Sequence, residues 1–389
     1  MSVTREPFSL YIHIPYCVSK CPYCDFNSHV VAVIPEEAYG GALLHELDAY
    51  ASDDAWRDRT VQTIFFGGGT PSTFKPQSIG KILDHVGRKF ALQPGCEITL
   101  EANPGTVDSA KFAGYRDAGV NRISVGIQSF QPRLLKFLGR VHTAEEGRKA
   151  LEIVRQAGFE NFSFDLIFAN PGQSLRELEA DLDIAIDYQS PHLSAYNLTF
   201  EEGTPFHHEY HCGRMATLTE DQEIAMAELI EDKLRRAGLI RYEISNYALP
   251  GRHSRHNVNY WRSGDYLGLG AGAHSYLQTG TDPILRERWS NEKNPGRYMS
   301  GINESGIAVT DRENIDRDKA ASEFLFLGLR MIAGVSSEVF RSTFGRAPVE
   351  FYPKIETWRE AGLMAEEKGN LRLTAKGLLL ANSIFVELV

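Results

Sequence analysis

Residues 11–26 read YIHIPYCVSKCPYCDF, an apolar, strand-like run that leads directly into three closely spaced cysteines. Cys17, Cys21 and Cys24 have the spacing C-x3-C-x2-C. A closed zinc site or a fully ligated iron–sulfur cubane takes four protein ligands, so three thiolates leave one coordination position for another molecule. The alternatives are a zinc site completed by a distant histidine and three unrelated buried thiols.

The size and composition of the chain narrow its class. Its 389 residues are enough for one large core and a smaller second domain. Five cysteines, three of them crowded together, do not form an even disulfide framework, and no signal-peptide pattern precedes the first strand, so we expect a reducing, cytoplasmic location. No apolar run reaches the length of a membrane helix. The net charge of −10 argues against nucleic-acid binding.

Strand-like and helical patterns alternate through the first ~250 residues. The strands have nearly continuous apolar interiors, which is typical of strands covered on both faces. They are predicted at 9–15, 63–69, 97–103, 122–129, 161–168 and 192–200, with helices at 36–50, 76–90, 143–157 and 174–188. Six strand–helix units predict an α/β fold, a parallel sheet curved into a partial, three-quarter (β/α)6 barrel of the TIM type, with ligands at the carboxyl ends of its strands.

The pattern changes near residue 240. A further strand is predicted at 242–248, followed by a Gly-, His- and Asn-rich stretch, 250–274, without helical periodicity. Helices at 318–332, 336–344 and 350–360, a hairpin turning at Lys368–Gly369 and a last helix from Thr374 predict a winged-helix-like α+β domain. The predicted division is therefore 1–245 for the barrel, 246–312 for a connector and 313–389 for the carboxy-terminal domain. The last part has ten Lys and Arg against eleven Asp and Glu, so packing or partner docking is expected there rather than DNA binding.

Polar and glycine-rich sequence follows the predicted barrel strands. After the second strand comes Gly67-Gly68-Gly69-Thr70-Pro71, where glycines let the backbone approach a ligand closely, although a tight turn would also use them. The other polar positions are Glu101, Gln128, Arg140 and Asp165. Because these polar groups recur at the same level of the predicted barrel, we expect them to line one pocket. Carboxylates suit ribose hydroxyls, and Arg can pair with a carboxylate. Each of these residues could instead be a buried structural polar group, and Glu101 could pair with a helix N-terminus.

The cysteine loop and the GGGTP run together resemble the radical S-adenosylmethionine (SAM) superfamily. That resemblance implies a [4Fe-4S] cluster on the three cysteines, with SAM on the fourth iron and its amino group at Gly68, Gly69 and Thr70. The chain is similar, over essentially its whole length, to the oxygen-independent coproporphyrinogen III oxidase group (HemN). The matching positions, which the resemblance implies contact SAM, are Tyr11, Tyr23, Glu101, Gln128, Arg140 and Asp165. Tyr23 is implied to lie beside the adenine.

Two departures from the oxidases favour a related group. The oxidases have a fourth cysteine two residues after the third, where this chain has Phe26, and a long amino-terminal extension, whereas this sequence begins ten residues before Tyr11. Both features resemble the HemW-type haem chaperones. The run HNVNYW at residues 256–261 is also similar to an H-N-x-x-Y-W sequence of that family, which suggests His256 as a haem ligand. A histidine in a Gly-rich loop could instead fix the loop by hydrogen bonds.

Other histidines and cysteines carry weaker signals. His253 and the exposed run HHEYHC at 207–212 could bind metal, but nothing in the sequence near the latter supplies an organised second shell. Cys96 and Cys212 are expected to be free thiols.

The leading functional prediction is a haem chaperone that binds a [4Fe-4S] cluster, SAM and haem as cargo, and delivers haem to acceptor proteins, respiratory ones among them. A flavodoxin or ferredoxin is the expected kind of electron donor. Whether SAM is cleaved in the working cycle is left open, and no residue is assigned a catalytic role. Peripheral membrane contact and a homodimer are also left open. The alternatives are oxidative decarboxylation of coproporphyrinogen III to protoporphyrinogen IX, and a structural adaptor whose cluster organises a dimer.

Overall fold

The computed structural model describes residues 6–279 and 285–388. Its strands are β1 (Phe8–Ile14), β2 (Tyr16–Cys17), β3 (His29–Val30), β4 (Thr60–Gly68), β5 (Ala91–Ala102), β6 (Arg122–Gln128), β7 (Phe162–Phe168), β8 (His192–Asn197), β9 (Ile240–Arg241), β10 (Asn246–Ala248), β11 (Tyr266–Leu269), β12 (His274–Gln278), β13 (Arg286–Asn291), β14 (Val309–Ile315), β15 (Val335–Ser336), β16 (Met364–Glu367) and β17 (Asn370–Leu373).

The helices surround the sheet and build the carboxy-terminal domain. They are α1 (Glu36–Ser52), α2 (Pro76–Lys89), α3 (Ser109–Asp117), α4 (Pro132–Phe137), α5 (Ala144–Gln156), α6 (Leu175–Asp187), α7 (Pro205–His211), α8 (Glu220–Arg236), α9 (Arg255–Trp261), α10 (Pro295–Ser305), α11 (Arg317–Gly328), α12 (Ser337–Phe344), α13 (Pro348–Phe351), α14 (Lys354–Glu360), α15 (Ala375–Leu379) and α16 (Ala381–Val386). None of the helices in the described part of the chain has the length and apolarity to cross a membrane.

The barrel is the run of six parallel strands β1-β4-β5-β6-β7-β8. At least one helix lies between each pair of successive strands, and the apolar strand interiors are buried on both faces, as in β7, where only Asp165 is less than fully buried. The predicted six-strand barrel is confirmed, and the predicted strands differ from the observed ones mainly at their ends.

Further strands extend the barrel sheet at both edges. On one side β10 pairs antiparallel with β8, and β9 pairs antiparallel with β10. On the other side β11 runs parallel to β1, and β12, β13 and β14 continue the sheet antiparallel. The stretch predicted as a connector thus supplies sheet strands and packs against the barrel core. The domain boundaries at 245/246 and 312/313 stay predictions.

Residues 250–274, whose poor helical periodicity predicts a connector or site-building loop, contain a helix. The HNVNYW run lies in the two-turn helix α9, whose N-cap Ser254 accepts a hydrogen bond from the backbone N–H of Asn257. A helix of this length is too short to show a 3.6-residue periodicity, so the cap was its main sequence signal.

The carboxy-terminal domain has its own buried cluster, which includes Leu325, Phe340 and Trp358. Its small sheet has the order β15-β17-β16, and the turn between β16 and β17 places Lys368 and Gly369 at φ 53° and 79°, as a two-residue hairpin loop requires. Arg288 of β13 pairs with Glu323 of α11 at 3.0 Å, which ties this domain to the extended sheet.

Candidate functional site

The cysteine loop lies at the carboxyl end of β1, the edge at which parallel barrels place their ligands. Cys17 ends β2, and Cys21 and Cys24 follow in the loop to β3; all three are free and half-buried. Burial raises the pKa of the Cys17 and Cys24 thiols. Metal coordination would offset that effect because it stabilises the thiolate.

Two barrel side chains donate hydrogen bonds to the loop sulfurs. The hydroxyl of Thr70 lies 3.4 Å from Cys17 Sγ, and Arg140 Nη1 lies 3.4 Å from Cys21 Sγ. Asn103 joins these donors, since its amide donates to Thr70 Oγ1 at 2.9 Å and its carbonyl accepts from Arg140 Nη2 at 2.5 Å. The loop is therefore held by residues that follow three successive strands: Thr70 after β4, Asn103 after β5, and Arg140 between the helices α4 and α5 that follow β6. Sequence reasoning missed Asn103, although it directly follows β5.

The glycine run packs against the strand that carries the first cysteine. Gly68 has φ +113°, and a Cβ there would come within 2.5 Å of the His13 ring. A Cβ at Gly69 would lie 2.8 Å from the carbonyl oxygen of Tyr16, and the N–H of Gly69 donates to Ile14 O at 2.8 Å. The glycines thus allow close approach of β4 to the cysteine strand, besides lining the cavity below the loop.

Two buried carboxyl groups lie in this cavity. Burial and the nearby charge of Asp165 raise the pKa of Glu101 to about 8, although a backbone hydrogen bond from Gly68 opposes the shift. Burial raises the pKa of Asp165 to about 6. Two acidic groups that both resist ionisation when buried together are suited to a ligand that brings hydroxyl donors or positive charge.

Gln128 offers a free acceptor to the same cavity. It has φ 71°, at an irregularity in the pairing of β6 with β7. Its buried Oε1 has no hydrogen-bond partner within the described ranges 6–279 and 285–388. An unpaired buried acceptor is costly, so a polar ligand at this position would relieve the cost.

The structure brings most of the predicted residues to one cavity of about 150 Å³. Its wall contains Cys17, Cys21, Tyr23, Cys24, Gly68, Gly69, Thr70, Glu101, Gln128, Arg140 and Asp165. A second cavity of about 220 Å³ shares Gly68, Glu101 and Asp165 with the first and adds Tyr11. His256 belongs to neither wall.

The second cavity contains residues that the sequence reasoning did not single out. They are Phe65, Arg122, Ser124, Ser163, His192, Ser194, Tyr196 and Asn257. Arg122 is 2% exposed and donates to Ser163 Oγ at 3.1 Å. The alternation of residues along a strand could have identified part of this set. Polar residues occupy alternate positions of the parallel strands β6 (Arg122, Ser124) and β7 (Ser163, Asp165), so they lie on the same face of the sheet.

His256 is a buried hydrogen-bonding residue. It is 1% exposed and its ring stacks on Phe65 at 5.0 Å. Its Nδ1 lies 2.8 Å from Thr63 Oγ1 and its Nε2 lies 2.8 Å from the hydroxyl of Tyr260. Because Thr63 donates its own proton to Ser9, Nδ1–H is assigned as donor and Nε2 as acceptor. Neither nitrogen is free for iron in this arrangement, which matches the loop-fixing alternative.

The other candidate histidines do not join the cysteines at one position. His253 stacks on Tyr242 at 4.2 Å. His207 and His211 lie in α7 with ring centroids 4.1 Å apart, and this helix contacts the cysteine loop through the N–H of Phe206, which donates to Pro22 O at 3.0 Å. Across the described residues, no three His, Cys, Asp or Glu side chains converge on a single metal position. Each thiolate of a [4Fe-4S] cluster binds a different iron, so the loop sulfurs need not converge.

Comparison with known proteins places the chain in a family. Residues 11–185 match the model of the radical SAM superfamily, and residues 315–380 match the HemN C-terminal domain. Proteins named "Heme chaperone HemW" from Haemophilus influenzae and Escherichia coli are each 38% identical, over 97% and 98% of this chain and the same shares of their own lengths. The chain belongs to the HemW family. The HemW protein of Bacillus subtilis is 36% identical over 97% of this chain and 98% of its own.

The fold agrees with this membership. The structure published as "Coproporphyrinogen III oxidase (HemN) from Escherichia coli is a Radical SAM enzyme" superimposes with a TM-score of 0.82 over 98% of this chain and 90% of its own, at 21% identity. At that identity the likeness concerns the fold alone.

Radical SAM membership implies a [4Fe-4S] cluster and SAM. The residues of this HemW chain fit both groups. The three half-buried thiols can hold three irons and leave the fourth for another ligand. They border a cavity that contains an unpaired acceptor and two buried carboxyl groups.

Proposed function

We propose that this HemW-family chain binds a [4Fe-4S] cluster and SAM, binds haem, and passes the haem to acceptor haem proteins. The observation that carries the first part is the joint wall of the 150 Å³ cavity, where three cysteines and the buried Glu101–Asp165 pair face one space. The printed name of the relatives, "Heme chaperone HemW", supports haem as the cargo.

Within this proposal each wall residue has a defined task. Cys17, Cys21 and Cys24 would hold the cluster, with Thr70 and Arg140 donating to the first two sulfurs. Hydrogen bonds to thiolates stabilise their negative charge, which raises the reduction potential of a cluster. Gly68 and Gly69 would leave room for the amino-acid part of SAM.

The buried carboxyls would bind the polar parts of SAM. Ionised Glu101 and Asp165 can accept hydrogen bonds from ribose hydroxyls or an amino group, and Gln128 Oε1 offers a further acceptor. Tyr11 and Tyr23 supply aromatic surface at the edges of the two cavities. When both groups are bound, radical SAM chemistry is the one-electron reduction of SAM to methionine and a 5′-deoxyadenosyl radical. An electron donor such as flavodoxin or ferredoxin would supply that electron.

Haem binding is tested by spectrophotometric titration of anaerobically reconstituted protein with haemin. We expect a saturable Soret band at one haem per chain, and transfer of the haem to an apo-haem protein on mixing. Protein with an intact cluster that shows no saturable Soret change would overturn the chaperone proposal. A parallel anaerobic assay with coproporphyrinogen III, SAM and a reductant should give no protoporphyrinogen IX, and turnover there would replace the proposal with the oxidase.

A further inference from the structure

A third and larger cavity lies on the other side of the cysteine loop. It has a volume of about 670 Å³ and is bordered by the loop, α9, the strands β12 and β13, and α11. This volume is in the range of sites for cofactor-sized ligands.

Aromatic side chains give this cavity flat apolar surfaces. Trp261, Tyr266 and Tyr276 belong to its wall, and the rings of Tyr266 and Tyr276 stack with centroids 6.0 Å apart and planes within 14°. Phe26, at the position of the oxidases' fourth cysteine, is 63% exposed and forms part of the rim. Such a wall suits a large planar ligand, because ring faces bury apolar area at low conformational cost.

Three histidines line the cavity, and they differ in what their ring nitrogens do. His13 uses both nitrogens, at 2.9 Å from the hydroxyl of Tyr11 and 2.8 Å from Asn27 O. His29 uses Nε2, which lies 3.2 Å from Asn27 Oδ1. His274, the first residue of β12, is exposed, and its imidazole has no hydrogen-bond partner in the segments that the structure describes.

The surroundings of His274 keep it ready to coordinate a metal. Although part of the residue is open to solvent, the cavity wall partly desolvates the ring, and this effect, followed by the charges of Lys293 and Arg288, lowers its pKa against the opposing charge of Asp311. The ring is therefore neutral at pH 7, the form in which imidazole binds iron. The same two cations line the cavity and offer charge to carboxylates.

The cations are not equally available. Arg288 is paired with Glu313 at 2.7 Å and with Glu323 at 3.0 Å. Lys293 has no carboxylate within ion-pair distance in the described part of the chain. Asp25 and Glu323 also border the cavity, so its wall is mixed in charge. Lys20 lines it too, but its Nζ donates to the carbonyl oxygens of Phe26 and Ser28 at 3.4 and 3.5 Å, so Lys293 is the wall cation whose side chain has no hydrogen-bond or ion-pair partner in the described part of the chain.

Two other cavities of comparable size lack this combination. One of about 660 Å³, between α8 and the carboxy-terminal domain, has no His, Cys or Met in its wall. Another of about 490 Å³ contains His253, but its described wall is mostly polar and has no Phe, Tyr or Trp.

We propose that the 670 Å³ cavity is the haem site of this protein, with His274 as the iron ligand and Lys293 as the partner of a haem propionate. This assignment rests on the proposed function. In this assignment His274 takes the place of His256 as the iron ligand. The HNVNYW run then has a different role. Tyr260 and Trp261 form part of the cavity wall, while His256 fixes α9 to β4 through its hydrogen bond with Thr63. An exposed ligand also suits cargo, because haem can leave without opening the core.

The test compares haemin titrations of the wild type, His274→Ala and His253→Ala. We expect His274→Ala to weaken haemin binding at least tenfold and to lose the low-spin spectrum of an imidazole ligand, with added imidazole restoring the spectrum. His253→Ala should match the wild type. Iron and sulfide content and SAM affinity should be unchanged in both variants, which shows that they fold.

A second ligand distinguishes the contribution of the iron–histidine bond from that of the contacts to the porphyrin ring and its propionates. Metal-free protoporphyrin IX has the propionates and the plane but no iron, so His274→Ala should bind it like the wild type, whereas Lys293→Glu should weaken binding of both porphyrins. If the wild type binds no haemin, the proposed function fails. If the wild type binds it and His274→Ala binds with the same affinity and spectrum, the function stands and this site assignment is wrong.

Discussion

Among individual residues, the loop cysteines differ from the other two cysteines in their surroundings. Cys17 and Cys21 accept hydrogen bonds from barrel side chains, whereas Cys96 is buried and Cys212 is exposed after α7. We expect Cys24→Ala to lose most of its iron and sulfide on anaerobic reconstitution, because two thiolates cannot retain the cluster. Cys212→Ala is the matched control and should keep about four irons per chain, as the cluster type requires. Equal iron in the two variants would contradict the ligand assignment.

Glu101 is expected to make SAM binding depend on pH. Its pKa near 8 means that it is largely protonated at neutral pH in the free protein, while a cationic or hydroxyl-bearing ligand favours the ionised form. SAM affinity should therefore rise between pH 6 and pH 8, by about tenfold per pH unit at most. Isothermal titration of reconstituted protein across this range measures the slope.

Two variants identify the group responsible. Glu101→Gln should bind SAM more weakly and lose the step near pH 8, leaving the step of Asp165 near pH 6. Asp165→Asn should move the upper step to lower pH, because the charge of Asp165 contributes to the raised pKa of Glu101. A wild-type affinity that is flat from pH 6 to pH 8 would show that neither carboxyl changes its ionisation on binding.

At the scale of secondary-structure elements, Glu46 of α1 holds the extended sheet to the barrel. Its buried carboxyl accepts hydrogen bonds from Gly270 N at 2.9 Å, Asn291 Nδ2 at 2.6 Å and the hydroxyl of Tyr298 at 2.6 Å. Glu46→Ala leaves these donors without their acceptor, so we expect a loss of about 2–4 kcal/mol in the free energy of unfolding. Urea denaturation of apoprotein measures it, and Glu46→Gln, which keeps the shape, should lose less.

The same residue predicts a pH dependence of stability. Burial raises the pKa of Glu46 from 4.5 to about 7, so the folded state binds more protons than the unfolded state between these values. Stability from this group is therefore present below pH 4.5 and falls as the pH rises through 7. Glu46→Ala should flatten that part of the profile, and an unchanged profile would assign the dependence to other groups.

Much of the barrel could be predicted because its signals are local. Strands such as β7 are continuous apolar runs, and their polar residues stand near the ends or at single interior positions such as Asp165. The edge strands β11 to β14 could not be assigned to the barrel sheet, since pairing of β11 with β1 joins residues more than 250 positions apart. The burial of His256 could not be predicted either, because its partner Thr63 reaches it only after α9 packs on β4, although Tyr260 lies four residues along the same helix.

Considered as a whole molecule, the protein joins a barrel to a carboxy-terminal domain of helices and a small sheet, which does not have the charge of a DNA-binding domain. The chain has 51 acidic and 41 basic residues, and the part after residue 312 is nearly balanced. We expect no salt-dependent shift of duplex DNA in a gel at low ionic strength, where phosphate contacts would be strongest. A shift that weakens steeply with added salt would require a basic surface and would contradict this expectation.

Phe26 is a wall residue of the cavities of about 150, 220 and 670 Å³. Any ligand that moves this ring in one chamber therefore changes the shape of its neighbours. By thermodynamic linkage, if SAM tightens or loosens porphyrin binding by some factor, porphyrin must change SAM affinity by the same factor. The factor is measured by titrating each ligand twice, once without the other ligand and once with the other ligand at saturation. We expect this ratio of affinities to differ from one in the wild type and to be close to one in Phe26→Ala. The side chain of Phe26 would then couple haem binding in one cavity to SAM binding in the neighbouring ones. Equal factors in the wild type and in Phe26→Ala would show that Phe26 does not carry this coupling.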